Sequence, residues 1–575
     1  MKKILVWLLF PAALFAQNKP AYPTPYEKGN GNQTATYQEA IAYYEALDKG
    51  FETIQLLPAG EDDNGLPIHI VTYSADKNFN LAEVRKNKAV LLINNGIHPG
   101  EPDGIDATMM LYRDLATGKI QAPENTIIVA IPVYNVSGML NRGSYSRANQ
   151  NGPESYGFRG NARNYDLNRD FVKCDTKNAL SFAQIFHKVK PDVFIDNHVS
   201  NGADYQYTLT YIATQHQKLG GPLGQYFKTS MMPAILDALK AKNIDATPYV
   251  NIHDELPEKG FTQFMDYPRY STGYASMFDV PGSMPETHML KPYADRIKVT
   301  YEYMLETLSY LDKNHTAIKE MRQANRDNFM PGHKYPLTWQ TDSSAVSLLP
   351  FKGYEGSYKM SEVTGQSRLY YDRTKPFSKL IKYYREYSPV TEVTIPKAYV
   401  IPKGWWNVVD LLKINNIQIQ ELKQDTLIEV ESYRIVNYKT SGQPYEGHYP
   451  HNTTEVAVKT QKIAFKKGDY LIDTQQAGVK YLLEMLEPQG ADSFFTWNFF
   501  DAILQQKEYY SAYVFEDTAA KLLKTNPKLK AEFDTKKLND KVFAWNPEAQ
   551  LDWIYTHSEY YEKTHNEYPV YRIVK

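Results

Sequence analysis

Apolar residues gather in the first half of the chain into short unbroken runs, each stopped by polar residues or by proline. Residues 89–93 (Ala-Val-Leu-Leu-Ile) end at Asn94-Asn95-Gly96, Thr126–Ile131 ends at Pro132, and residues 192–195 (Asp-Val-Phe-Ile) run into Asp196-Asn197. Between them, residues 105–115 and 179–187 repeat their apolar positions every three or four residues, the period of a helix with one buried face. A strand without polar alternation is buried on both faces. Such strands, separated by helices, predict an α/β fold over about residues 36–325: a doubly wound, mostly parallel mixed sheet with helices on both faces. Ligands of such sheets bind beyond the carboxyl ends of the strands, so the polar residues that stop each run are the first place to look for chemistry.

From about Pro331 the texture changes. Strand-like pieces such as residues 391–401 and 417–438 dominate, between Pro/Gly turns and many tyrosines. Helix-like spacing returns at residues 478–486, 497–506 and 518–523. This predicts a β-rich accessory region with added helices. A chain of 575 residues exceeds the ~250–300 at which single cores stop growing. The expected division is therefore 17–330 for an α/β catalytic domain and 331–575 for the accessory region, after a leader at 1–16. No internal repeat appears.

Composition narrows the function classes. Hydrophobic residues at 42% and charged residues at 23% are those of a globular protein. A net charge of −2 without long single-sign blocks gives no footprint for nucleic acid or an anionic membrane surface. The leader carries Lys2 and Lys3, an apolar run at 4–15, and Ala16 before polar Gln17. It reads as an export signal, which predicts a periplasmic or secreted protein. The run is shorter than the ~20 residues a membrane span needs, and no later segment reaches that length. Cys174 is the single cysteine, so no internal disulfide forms, no lipid-attachment cysteine follows the leader, and Cys174 reads as a bystander. The 46 tyrosines suit half-buried strand positions better than a glycan-binding surface.

The first apolar run leads into Asn94-Asn95-Gly96-Ile97-His98-Pro99-Gly100-Glu101. His98 and Glu101 lie three apart in a turn, close enough for an imidazole and a carboxylate to meet on one ion. Zinc accepts both ligand types, and a catalytic zinc uses three protein ligands with one position left for water. The third ligand should come from another strand end, and residues 192–195 deliver His198. Between them lies Asn164-Tyr165-Asp166-Leu167-Asn168-Arg169-Asp170. An arginine fork and an amide beside a metal suit a substrate carboxylate, which points to Asn168 and Arg169. Asp166 is suited to accept the other ring N–H of a ligating histidine. Glu286, after a turn-rich stretch, is the candidate general base for water.

The set His98/Glu101, the Asp-Leu-Asn-Arg string from Asp166, His198 and Glu286, in this order, resembles the zinc metallocarboxypeptidases related to carboxypeptidase A. The resemblance covers about residues 36–325. It implies one zinc held by His98, Glu101 and His198, with Glu286 as base, Asn168 and Arg169 binding the terminal carboxylate, and Asp166 behind the first histidine. It also implies an arginine that steadies the oxyanion, for which Arg159, Arg147 and Arg163 compete because residues 149–164 look like an insertion. Arg159 is favoured, then Arg147. A tyrosine that closes over the substrate is implied upstream of the base: Tyr270, with Tyr267 and Tyr274 as neighbours in contention. Asp170 departs from the family pattern, and the residue that sets side-chain specificity falls somewhere between Tyr274 and Val280.

The resulting expectation is an exported zinc carboxypeptidase whose partner is a peptide with a free C-terminal carboxylate. An alternative keeps the metal and changes the substrate to cell-wall peptide stems or acylated amino acids. Another is a non-catalytic module that binds peptides or glycans. Side-chain preference and oligomeric state have no sequence signature.

Overall fold

A computed structural model describes residues 22–200, 202–252 and 255–574; the leader lies outside the described residues. The first half builds a nine-stranded mixed sheet from β1 (Ile54–Glu61), β2 (Pro67–Tyr73), β3 (Ala89–Asn94), β4 (Thr126–Ile131), β5 (Val193–Asp196), β6 (His198–Ser200), β7 (Leu209–Ala213), β8 (Ala246–Pro248) and, after the outlying β9 (Phe261–Thr262), β10 (Gly282–His288). The spatial order is β1-β2-β4-β3-β5-β10-β7-β8, with β6 continuing beside β10. The central strands β4, β3, β5 and β10 run parallel, while β1, β2 and the β10–β7 pairing are antiparallel.

All six residues of β3 and of β4 are buried, which is why their sequences show no alternation. Alternate side chains still go to opposite faces. Leu91, Ile93, Ile128 and Ala130 pack under the helices Tyr37–Gly50, Asp103–Ala116 and Tyr293–Arg326. Val90, Leu92, Ile127 and Val129 belong to the other face, covered by the helix Lys177–Val189 and the short helix Ser271–Ser276. The doubly wound α/β architecture expected from the sequence is present.

The second half contributes β11 (Lys334–Thr341), β12 (Ser347–Met360), β13 (Ser367–Tyr384), β14 (Tyr387–Thr394), β15 (Ala398–Ile401), β16 (Gln420–Glu421), β17 (Thr426–Thr440), β18 (His451–Phe465), β19 (Tyr470–Asp473) and β20 (Tyr571–Ile573). Six of them form the sheet β16-β19-β15-β20-β17-β18, whose longest ladder is the β17–β18 hairpin. The helices Ala512–Thr525, Pro527–Asn539 and Pro547–Thr556 bury a small core of their own around Phe515, Phe533 and Ile554.

The second half packs on the second face of the first. Tyr335, Val408, Leu412, Tyr481 and Leu482 share one apolar cluster with Phe182, Phe194 and Tyr274. Polar contacts tie the same boundary: Tyr274 Oη donates to Asn415 Oδ1 at 2.6 Å, and Lys480 Nζ lies 2.9 Å from Asp279. Strand β9 pairs with β13 across the two halves.

Three expected elements differ. The run 391–401 is two strands, because Pro396 has no N–H to give a ladder and the chain turns there. The run 417–438 is split between β16 and β17. Residues 497–506 form turns and a 3-10 turn at Asp501–Leu504, since Asn498 adopts the left-handed conformation (φ 66°) that ends a helix. The apolar spacing there reported burial, with Trp497 and Phe500 fully enclosed, and not helical period.

Candidate metal centre

β3, β5 and β10 lie side by side and end at the same edge of the sheet. Past β3 the chain turns through His98 to Glu101, closed by Glu101 N–H donating to the His98 carbonyl at 2.8 Å. The helix Asp103–Ala116 then starts hard against the neighbouring strand end: a Cβ on Gly104 would stand 2.3 Å from Asn197 Cβ. His198 opens β6, and Glu286 on β10 is its register partner.

One ligand atom each from His98, Glu101 and His198 falls within 4.8 Å of the others, and all three residues are buried. The orientation of the rings is informative. His98 Nε2 lies 2.9 Å from Asp166 Oδ1, and His198 Nε2 lies 2.9 Å from Asp196 Oδ2. With protons on Nε2, both Nδ1 atoms face Glu101, at 3.3 Å for His98 and 3.1 Å for His198. His98 Nδ1 is buried without a hydrogen bond. An enclosed, unpartnered ring nitrogen is disfavoured unless something electrophilic takes its lone pair. Two nitrogens and one carboxylate are a donor set that zinc accepts, so the residues fit the cation.

The charges around this point are strongly shifted. Burial opposes the Glu101 anion, but Arg147 and His98 outweigh it and hold its carboxyl well below the usual range. Burial also opposes Asp166, and His98 with Arg159 and Arg169 again wins. His198 is pushed well above an ordinary histidine because Asp196 and Glu101 outweigh its burial. Glu286 moves the other way. Burial, helped by Glu101 and Asp196 and opposed by His198, raises its carboxyl to about 7.

A cavity of about 400 Å³ opens over the group. Its wall includes Arg147, Arg159, Asn168, Arg169, Tyr270 and Glu286. Asn168 Oδ1 accepts the Ser271 N–H at 3.2 Å, which leaves the amide nitrogen as its free donor. The Arg169 guanidinium lies 4.7 Å from the Tyr270 ring centroid. Both favoured arginines reach Glu101 Oε1: Arg147 at 2.7 Å with its side chain 14% exposed, Arg159 at 3.4 Å and 44% exposed. The more exposed Arg159 also grips Asp166.

Other candidates fall elsewhere. Arg163 donates to the Asp175 carbonyl and packs on Tyr165, away from the cavity wall. Tyr274 is in the core and Tyr267 borders a different cavity. No residue between Tyr274 and Val280 borders the metal cavity. Its apolar wall comes instead from Ile212, Phe264 and Met284, with Tyr249. Asp170 is a loop anchor that accepts from Lys173, Asp175 N–H and Thr176. Cys174 is buried, and burial pushes its thiol up.

Two contributors escaped the sequence reading. Asp196 is one: residues two apart in an extended segment share a face, so the Asp196-x-His198 spacing was a usable signal. The other is Glu446, whose carboxylate accepts the Asp166 N–H at 2.9 Å from 280 positions away. Nothing local to either residue signals that contact.

The doubly wound sheet and the meeting of His98, Glu101 and His198 beyond its strand ends are what the sequence resemblance implied. No family model matches the chain. Among curated proteins it is similar to carboxypeptidase 2 of Trichophyton rubrum, 22% identical over 425 residues that cover 70% of this chain and 72% of the relative. Carboxypeptidase 2 of Trichophyton tonsurans is 21% identical over 471 residues, covering 76% and 78%. Among solved structures, a metallo-carboxypeptidase from Burkholderia cenocepacia aligns over 48% of this chain and 70% of its own at 16% identity, with a TM-score of 0.37. Carboxypeptidase A from Helicoverpa armigera aligns over 50% and 74% at 15% identity, with a TM-score of 0.35. The resemblance read from the His98 and Asp166 motifs is borne out by the curated relatives.

Proposed function

We propose that this chain is an exported zinc carboxypeptidase that releases the last residue of a peptide. The observation that carries the reading is the meeting of His98, Glu101 and His198 with inward-facing Nδ1 atoms, beside Glu286 and the Asn168–Arg169 pair in one cavity. His98, Glu101 and His198 would hold the zinc. A zinc ion there supplies Lewis-acid polarisation of a carbonyl and acidifies water.

The chain's own residues do the rest. Arg169 and Asn168 take the substrate's terminal carboxylate, the guanidinium by a bidentate pair of N–H donors and the amide by a third. That fixes the last peptide bond over the ligand group. Glu286, enclosed and poised at about 7, takes a proton from the attacking water and returns it to the leaving amine. Arg159, with Arg147 behind it, faces the place where negative charge develops on the scissile oxygen. Tyr270 closes the wall beside Arg169. Asp166 and Asp196 hold the two imidazoles in the tautomer that leaves Nδ1 free. Residues 17–330 carry this chemistry, and 331–575 support it.

The test is a comparison of short free-acid peptides with their C-terminal amides, before and after zinc is stripped and restored. Zinc-dependent release of the terminal residue from free acids alone is expected. Equal cleavage of the amides would remove the carboxylate anchor from the reading.

A further inference from the structure

The β17–β18 hairpin belongs to the second half, yet its tip lies against the segment that carries Asp166, Asn168 and Arg169. Residues 445–448 make a contact at each position. The Arg269 guanidinium lies 5.7 Å from the Tyr445 ring centroid, and that ring stacks on the enclosed Trp497 at 6.1 Å and 17°. Glu446 Oε2 accepts the Asp166 N–H at 2.9 Å. Gly447 sits so close to Tyr165 that a Cβ would stand 2.4 Å from its hydroxyl oxygen. His448 Nε2 pairs with Asp175 Oδ2 at 2.8 Å.

The backbone is bent to achieve this. Glu446 adopts φ 48° and Gly447 φ 80°, the left-handed region that a non-glycine residue occupies only when its surroundings hold it there. The receiving segment is equally shaped, with Asn164 at φ 64°. Asp166 caps the turn Leu167–Arg169 through Oδ1, which accepts the Asn168 N–H at 2.9 Å while also taking His98 Nε2. One residue therefore links hairpin, carboxylate-binding turn and metal-facing imidazole. A hairpin that served only to join the halves had no need to bring a carboxylate up to Asp166, which is itself negative. The repulsion is offset by Lys173, whose ammonium lies 4.7 Å from the Tyr165 ring centroid, and by Arg169.

We propose that this hairpin tip is a working part of the cleft, with Glu446 as a positioning residue for Asp166 and through it His98. The inference rests on the carboxypeptidase reading and adds to it that the second half completes the site. Glu446 pins the backbone of the residue that fixes the His98 tautomer, so it governs metal affinity, as outer partners of ligating histidines do.

The experiment uses the full chain, stripped of metal and titrated with zinc against a chromophoric chelator, followed by steady-state kinetics on a free-acid dipeptide. Glu446→Ala is expected to lower zinc affinity at least tenfold. Glu446→Gln, which keeps an acceptor oxygen, stays within twofold of wild type. Thermal melts run alongside, and Glu446→Leu, which keeps bulk but loses the acceptor oxygen, serves where Glu446→Ala does not fold. A folded Glu446→Ala or Glu446→Leu protein with zinc affinity within twofold of wild type would overturn the inference. So would equal losses in Glu446→Ala and Glu446→Gln. In both cases a wild type that takes zinc and cleaves leaves the carboxypeptidase reading standing, whereas a wild type that takes no zinc overturns both.

Discussion

Asp196→Asn is the sharpest single test of how the His198 ring is set. The carboxylate is fully buried and serves three donors: Oδ1 accepts Asn94 Nδ2 at 3.1 Å, while Oδ2 accepts His198 Nε2 at 2.9 Å and Ser271 Oγ at 2.5 Å. Asparagine has the same shape and one acceptor fewer. If its oxygen keeps His198 and Ser271, its NH₂ confronts that of Asn94, donor against donor. If it turns over, its NH₂ faces His198 Nε2. The ring must then carry its proton on Nδ1, the atom that faces Glu101. Either way a charge-assisted hydrogen bond of about 1.5–3 kcal/mol is lost, which corresponds to about a 10–100-fold drop in zinc affinity at 1.4 kcal/mol per decade. Competition of the stripped variant with a chelator of known affinity reads the change directly, and a thermal melt checks that the fold survives. A folded Asp196→Asn protein that binds zinc within threefold of wild type would refute the tautomer argument.

Three further outcomes are expected. Glu286→Gln should retain zinc and lose about 10²–10⁴ in kcat. In wild type the base works ionised, so kcat/KM should rise with pH through a limb at or below about 7, the value burial imposes before a cation's charge lowers it; a pH profile of both proteins checks this. Arg169→Lys replaces a planar fork by a point charge, and KM for free-acid peptides should rise about tenfold or more with a smaller change in kcat, read by initial rates. Glu484, enclosed at the boundary between the halves, is raised to about 7 by burial against the opposing pull of Lys218 and Tyr335. A raised carboxyl binds its proton more tightly folded than unfolded, so stability is fullest below the unfolded value of 4.5 and falls as pH rises through about 7. Glu484→Gln keeps an acceptor for Tyr335 and should recover up to about 3 kcal/mol at pH 8 relative to pH 4.5, measured by denaturant melts at the two pH values.

How much of this could be read from the sequence depends on whether the signal was local. The strands β3, β4 and β5 announced themselves because burial on both faces leaves their middles without polar residues, and the candidate ligands followed because His98 and His198 stand beyond the ends of two of them. Asn168 and Arg169 were legible as a string. The Arg147–Arg159 choice was not, since both guanidinia reach Glu101 from an irregular loop whose course no periodicity encodes. None of residues 274–280 borders the cavity, whose apolar lining includes Ile212, Phe264 and Met284, residues from strands and a loop that meet only in space. Asp196 was within reach of a strand-face argument. Glu446 was beyond any, for its partner sits in the other half of the chain.

The boundary between the halves also bears on how the protein comes into being. The helices over the second face of the large sheet are roofed in turn by later chain: Tyr274 by Asn415, and Phe278 by Tyr481, whose ring stacks at 5.4 Å. His98, Glu101 and His198 leave the ribosome long before that roof is synthesised. The helices on that face are therefore covered by residues made after 331, and a proteolytic clip near Pro331 that released them would expose to water the sides of Tyr274 and Phe278 that face them.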